Sequence, residues 1–385
     1  MGGFECSTHW TRRGVRLDVT AATAHDKFAL ADYQRLRAVG MATARDGLRW
    51  HLIERAPYVY DFSSVLPMLR AAREAGVQVM WDICHYGWPD DLDIFSPEFV
   101  KRFAALARAF TELFTNETDE TPFIAPINEI SFFSWAGGTS AFFNPFSRGR
   151  GAKLKRQLVR AAIAGVEAIW EVEPRARIIH TDPLVNIVCN PKRPHEREAA
   201  EHRRLAQFEG WDMLTGRLHP ELGGDEKYLD IIGVNFYPHN QWFFQGGRKI
   251  TRSHSLYRPF REMLGEADER YRRPMFIAET GAESEARPEW LRYVCEEARA
   301  ARESGISVEG LCLYPVVNHP GWDDDRHCHN GLWDYADEFG GREIYRPLAD
   351  ELHRQQMLFK EAEPSEFLPA QETNPPAFDE GVASW

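Results

Sequence analysis

The chain has 385 residues, 43% of them hydrophobic, enough to bury a large core either as two average domains or as one α/β barrel with insertions. Its formal charge of −12 argues against nucleic acid or an anionic membrane as partner, because both would be repelled before contact. Six cysteines, Cys6, Cys84, Cys189, Cys295, Cys312 and Cys328, are scattered without a CxxC pair, a pattern that suits reduced thiols in a cytoplasmic protein better than disulfides or structural zinc.

In chain order, β-like runs alternate with helical patterns from end to end. GFECST (3–8) is the first predicted strand, and Asp26 is placed to cap a helix that ends at Gly40. GMATARDGL (40–48) follows, then a helix from Phe62 to Gly76, the strand VQVMWDI (77–83) and a helix near 97–115. PFIAPIN (122–128), a helix at 151–172, ARIIHTD (176–182) and LDIIGVNFY (229–237) come next. PMFIAE (274–279), a helix at 287–304, VEGLCLYP (308–315) and a helix at 344–361 complete the series. Eight β/α units in about 360 residues predict a (β/α)₈ TIM barrel with long βα loops, and no GxGxxG follows the first strand to favour a Rossmann domain. No repeat or linker divides the units, so residues 1–360 are expected to form one catalytic domain. Residues 361–385, rich in Pro and acid and without periodicity, read as a C-terminal tail. MGGFECSTHWTRRG has no apolar leader core and no stretch approaches the ~18 apolar residues of a membrane span, so a soluble, cytoplasmic protein is expected.

In such a barrel the βα loops converge over the carboxyl ends of the strands, so chemistry is sought there. Those ends carry Arg45 and Asp46, His85, Asn128 and Glu129, Asp182, Asn235 and Tyr237, Glu279, and Tyr314 with Asn318. Glu129 and Glu279 each close an apolar strand, and a carboxylate leading into a buried floor needs either an ion-pair partner or a chemical task. Opposed across one cavity, two such acids meet the needs of glycoside hydrolysis: one protonates the leaving oxygen while the other attacks the anomeric carbon or activates water.

Six motifs, in order, resemble the (β/α)₈ glycoside hydrolase clan that contains the family 1 β-glucosidases, and the likeness spans about residues 3–335. PINEI is similar to the family's TFNEP-like acid/base motif, with Ile130 where the family has Pro, and IAETG to its ITENG-like nucleophile motif, with Thr280 for Asn. ARDGLRWHLIE keeps Arg45 and Trp50, CHYGWP keeps His85 and Pro89, GVNFYP keeps Asn235 and Tyr237, and YPVVNHPGW keeps Trp322. The resemblance implies a divergent retaining β-glycosidase with catalytic Glu129 and Glu279 and with Arg45, His85, Asn128, Asn235, Tyr237, Tyr314 and Trp322 binding substrate. It implies hydrolysis or transfer of a β-linked sugar, with Asn128 on the sugar 2-OH. Arg45 and Tyr237 would keep Glu279 ionised, while burial beside Phe132, Phe133 and Trp135 and the charge of Glu279 would raise Glu129. No cofactor and no metal are expected, and the partner is a carbohydrate or glycoside; the oligomeric state is not set.

The chain departs from the family where sugar hydroxyls are gripped. Trp10 stands at the place of an N-terminal Gln, Gly321 at that of a Glu, and Tyr314 at that of a strand-eight Trp, with Glu5, His9 and Asp323 as candidate replacements or plain rim residues. A carbohydrate-binding barrel with little or no turnover is therefore the alternative. DDDRHCHN (323–330) offers metal-ligating side chains at no standard spacing and is read as a solvated loop; its aspartates disfavour a phosphorylated sugar. Aromatic residues of the loops after strands four and six, Trp135 and Trp242 among them, are either platforms for a sugar or apolar aglycone or rim packing. The basic run at 192–204 reads as a solvated helix face.

Overall fold

Eight parallel strands close into a barrel in a computed structural model that describes residues 1–362. The strands are β1 (Gly2–Gly3), β2 (Thr43–Gly47), β3 (Gln78–Cys84), β4 (Phe123–Ile127), β5 (Arg177–Pro183), β6 (Ile231–Asn235), β7 (Met275–Thr280) and β8 (Val308–Leu313). Each pairs with its neighbours in chain order, and β1 joins β8 through Gly2 opposite Leu313. The predicted (β/α)₈ architecture is the observed one. The predicted tail falls outside the described residues except for Glu361 and Ala362, which end the last helix.

The outer layer holds α1 (His25–Ala38), α2 (Leu66–Ala75), α3 (Pro97–Glu117), α4 (Gly151–Val172), the short α5 (Arg197–Leu205) and α6 (Glu209–Leu214), α7 (Phe260–Tyr271), α8 (Arg287–Glu303) and α9 (Arg346–Ala362). Period-two alternation sorts each strand between this layer and the interior. On β3, Val79, Trp81 and Ile83 pack in the main core under the helices, while Met80 joins Ala125 and Ile179 in a smaller apolar cluster inside the barrel. Asp82 lies above Met80 on the same face, so the interior changes from apolar to charged toward the carboxyl ends.

Three local differences from the sequence expectation have physical causes. The first run pairs only over Gly2–Gly3, although Phe4 N still donates to Arg45 O at 2.9 Å and the chain stays buried to His9. Gly3 is required there, because a Cβ would stand 2.0 Å from Tyr314 Cδ2. Asp26 does not cap α1; Ala24 holds the N-cap position, and Asp26 instead accepts from Arg49 Nη1 at 2.9 Å. Pro126 lies inside β4, where it has no N–H to give: pairing to β5 lapses after Ile124 and resumes with Glu129 N to Thr181 O at 3.1 Å.

Candidate active site

Glu129 and Glu279 line one cavity of about 770 Å³ at the carboxyl ends of the strands, together with Glu5, His85, Tyr86, Tyr237, Tyr314 and Trp322. Both glutamates are buried, at 8% and 5% exposure, which is where a carboxylate must be answered by donors or remain protonated. Their donors differ. Glu279 accepts from Arg45 Nη1 at 2.5 Å and from the Tyr237 hydroxyl at 2.8 Å. Glu129 accepts from Asn235 Nδ2 at 2.9 Å and from the Tyr86 hydroxyl, with no cation among its partners.

That difference separates the two acids. Burial pushes both carboxyls up; the Arg45 guanidinium opposes the rise at Glu279, whereas the charge of Glu279 adds to it at Glu129. As a pair they therefore take up the first proton on Glu129 and leave Glu279 the anion. Burial and the neighbouring carboxylates keep Tyr86 and Tyr237 protonated, so both act as donors.

Arg45 is fully buried beneath the cavity and organises the floor. Its Nε and Nη2 reach Asp82 at 3.1 and 2.7 Å, its Nη2 donates to Asn128 Oδ1 at 2.6 Å, and Tyr314 lies 5.2 Å from the guanidinium, ring to cation. Asn128 is likewise enclosed. Its Oδ1 also accepts from Thr181 Oγ1 at 2.7 Å, and its Nδ2 donates to His85 Nε2 and the Tyr86 hydroxyl, each at 2.9 Å. All its amide capacity is thus spent on the protein, and it carries Glu129 and Tyr86 rather than facing the cavity. His85 is held on both sides, its Nε2 by Asn128 Nδ2 and its Nδ1 by Asp82 at 2.9 Å.

Tyr86 is the principal contributor that the sequence reading left out, although it directly follows His85 at the end of β3. Both Tyr86 (φ +64°) and Glu129 (φ +47°) occupy the left-handed region, and Glu129 there forms the N-cap of a four-residue helix, Ile130–Phe133. Of the candidate replacements, Glu5 lines the cavity: it accepts from Ser7 N at 3.0 Å and lies 3.6 Å from His85 Nε2. Burial works to raise the Glu5 carboxyl, but His85, His319 and the Ser7 contacts outweigh it and hold it below its usual value. Trp10 points elsewhere, its Nε1 donating to Asp90 at 2.7 Å. Trp50 donates to Glu54 in the core. Trp322 is fixed against Tyr86 and Phe143, ring centroids 5.6 and 6.2 Å apart. The Tyr314 hydroxyl, Asn235 Oδ1 and Asn330 Oδ1 are among the polar atoms buried without a protein partner at this end of the barrel.

Among the described residues, two sets of three side chains bring potential metal-ligating atoms within 4.8 Å of one another: Cys6, Asp82 and His85, and His327, His329 and Asp334. In the first, Asp82 is already held by Arg45 and His85; in the second, Asp334 Oδ1 is taken by Asn318, His327 and the Tyr335 N–H. All six cysteines are free thiols, and among the described residues no helix is long and apolar enough to cross a membrane.

No protein-family model matches the chain, and no curated protein does. Solved structures do. A family 1 β-glucosidase from Thermotoga maritima is 15% identical, with a TM-score of 0.71 over 88% of this chain and 87% of that one. The AHE enzyme from Alicyclobacillus herbarius is also 15% identical, with a TM-score of 0.74 over 88% of each chain. A β-glucosidase from T. maritima in complex with deoxynojirimycin matches at a TM-score of 0.73 over 93% of each chain, again at 15% identity. The chain shares the (β/α)₈ fold of the family 1 β-glucosidases and stands apart from them in sequence.

Proposed function

We propose that the protein is a retaining β-glycosidase that hydrolyses, or transfers, a β-linked sugar, with Glu279 as nucleophile and Glu129 as acid/base. One observation carries the reading: two buried carboxylates share a cavity, one held by a guanidinium and a phenol, the other by neutral donors only. Glu279 attacks the anomeric carbon as Glu129 gives its proton to the departing glycosidic oxygen, leaving a glycosyl ester on Glu279 and an ionised Glu129. Glu129 then takes a proton from water, or from an acceptor hydroxyl, whose oxygen displaces Glu279 and restores both groups. Arg45 stabilises Glu279 as it leaves. Asn128 acts in this scheme through Tyr86 and Glu129, and the cavity-facing His85, Glu5, Tyr314 and Trp322 bind the sugar. The free thiols support a cytoplasmic site of action.

The test is a panel of aryl β-glycosides with wild type, Glu279→Gln and Glu129→Gln. Glu279→Gln should abolish turnover, and Glu129→Gln should lower it by about 10²–10⁴-fold for a poor leaving group and far less for a good one. Mapping the peptide labelled by a 2-deoxy-2-fluoro glycoside should identify Glu279. Absence of wild-type turnover on every sugar would leave a carbohydrate-binding barrel instead.

A further inference from the structure

The cavity is larger and more sharply divided than one sugar ring requires. Its volume lies in the upper part of the ~300–1,000 Å³ range that encloses drug-sized ligands. Its lining carboxylates, Glu5, Glu129 and Glu279, all belong to strand ends or to the chain just after β1, whereas its lining cations, Lys155, Arg203 and Lys249, lie away from those ends. Apolar Trp135, Val185, Ile187 and Trp242 complete this outer wall.

Local pairing assembles the wall. Asn186–Val188 and Gln241–Phe243 form a two-stranded parallel ribbon that sets Ile187 beside Trp242, and a bridge sets Lys249 opposite Trp242. The helix α5 packs on this ribbon and brings Arg203 to the cavity. Lys155 is answered by Glu209 at 2.7 Å, and Arg204, next to Arg203, by Glu201 and Glu266. Arg203 and Lys249 have no carboxylate partner among the described residues. Two cations without a salt bridge, Lys249 across from Trp242 and Arg203 in the same lining, in a chain of net charge −12, call for an anion that arrives on an apolar body.

We propose that the outer cavity is an aglycone site for an aromatic carboxylate, held by Trp242 and Ile187 on its face and by Lys249 and Arg203 at its charge. This names the substrate class of the glycosidase read above, a β-glycoside of an anionic aromatic alcohol, and rests on that reading only for the sugar. The binding itself is measured without turnover. Tag-free protein is titrated with 2-naphthoate, 2-naphthamide and 2-naphthylmethylammonium, followed by calorimetry and tryptophan quenching.

At low salt the naphthoate should bind about fivefold more tightly than the amide for each cation it meets, with the ammonium weakest, and the gap should close by about 0.5 M salt. Arg203→Gln/Lys249→Gln should erase the preference. Lys27→Glu, a charge change on α1, should preserve it. Equal binding of the three probes, no binding of any, or an unchanged preference in the double variant would overturn the proposal. Loss of turnover with the preference intact would instead count against the glycosidase reading alone.

Discussion

Replacing Tyr237 by Phe removes one hydroxyl that donates to Glu279 at 2.8 Å and leaves the Arg45 contact in place. A buried hydrogen bond to a charged acceptor is worth about 1.5–3 kcal/mol. At ~1.36 kcal/mol per pKa unit, its loss raises the Glu279 carboxyl by about 1–2 units. The nucleophile must be ionised, so the acidic limb of kcat/KM against pH for an aryl β-glycoside should move up by that amount, and activity well below the limb should fall by about 10- to 100-fold. Tyr86→Phe is the companion: Glu129 loses a donor, its carboxyl also rises, and because the acid must be protonated the basic limb is the one that moves up. An acidic limb unmoved in Tyr237→Phe, with the protein folded, would refute the assignment of Glu279 as the ionised partner.

Other predictions follow from the same geometry. Glu5→Gln removes a negative charge that raises Glu279, so the acidic limb should move to lower pH, opposite in sign to Tyr237→Phe. His25 is buried between Asp46 and Asp32, at 2.8 Å from each; burial alone would lower it, yet the two carboxylates raise it to about 9. Its contribution to stability is complete below its unfolded pKa of about 6.5 and is lost as pH rises through about 9. Unfolding free energies from urea titrations between pH 6 and 10 should therefore fall more steeply for wild type than for His25→Gln, by about 3 kcal/mol over that window. Gly3→Ala would drive a methyl into Tyr314 and should destabilise by about 1–3 kcal/mol in urea titration, with the cation–π contact to Arg45 disturbed as well.

The barrel was legible because each strand is a short apolar run that ends in polar residues, a pattern that local sequence states directly. The helix α7 was not expected: Phe260, Met263, Leu264, Ala267 and Tyr271 of FREMLGEADERY form its buried stripe, but Gly265 at its centre and the charged residues around it mask the pattern. Glu129 and Glu279 stood out because carboxylates after apolar strands are expensive to bury. Asn128 shows the limit of that reasoning, since its residue type announces hydrogen bonding but not whom it bonds, and only the closed barrel brings Arg45, Thr181 and His85 within its reach. Glu5 was weighed as a replacement contact because of its charge, while Trp10, assigned by alignment, turns outward to Asp90. Spacing along the chain does not record which of two neighbours faces in.

Tyr86 and Glu129, joined through one hydrogen bond, both sit at positive φ without being glycine. Such residues carry roughly 1–3 kcal/mol of backbone strain each. A glycine at position 129 would relax the turn and remove the proposed acid together, so selection for stability alone pulls against the acid/base role proposed for Glu129. If that role holds, the barrel and this corner have opposed interests, and drift toward a sturdier chain without the carboxylate lies downhill.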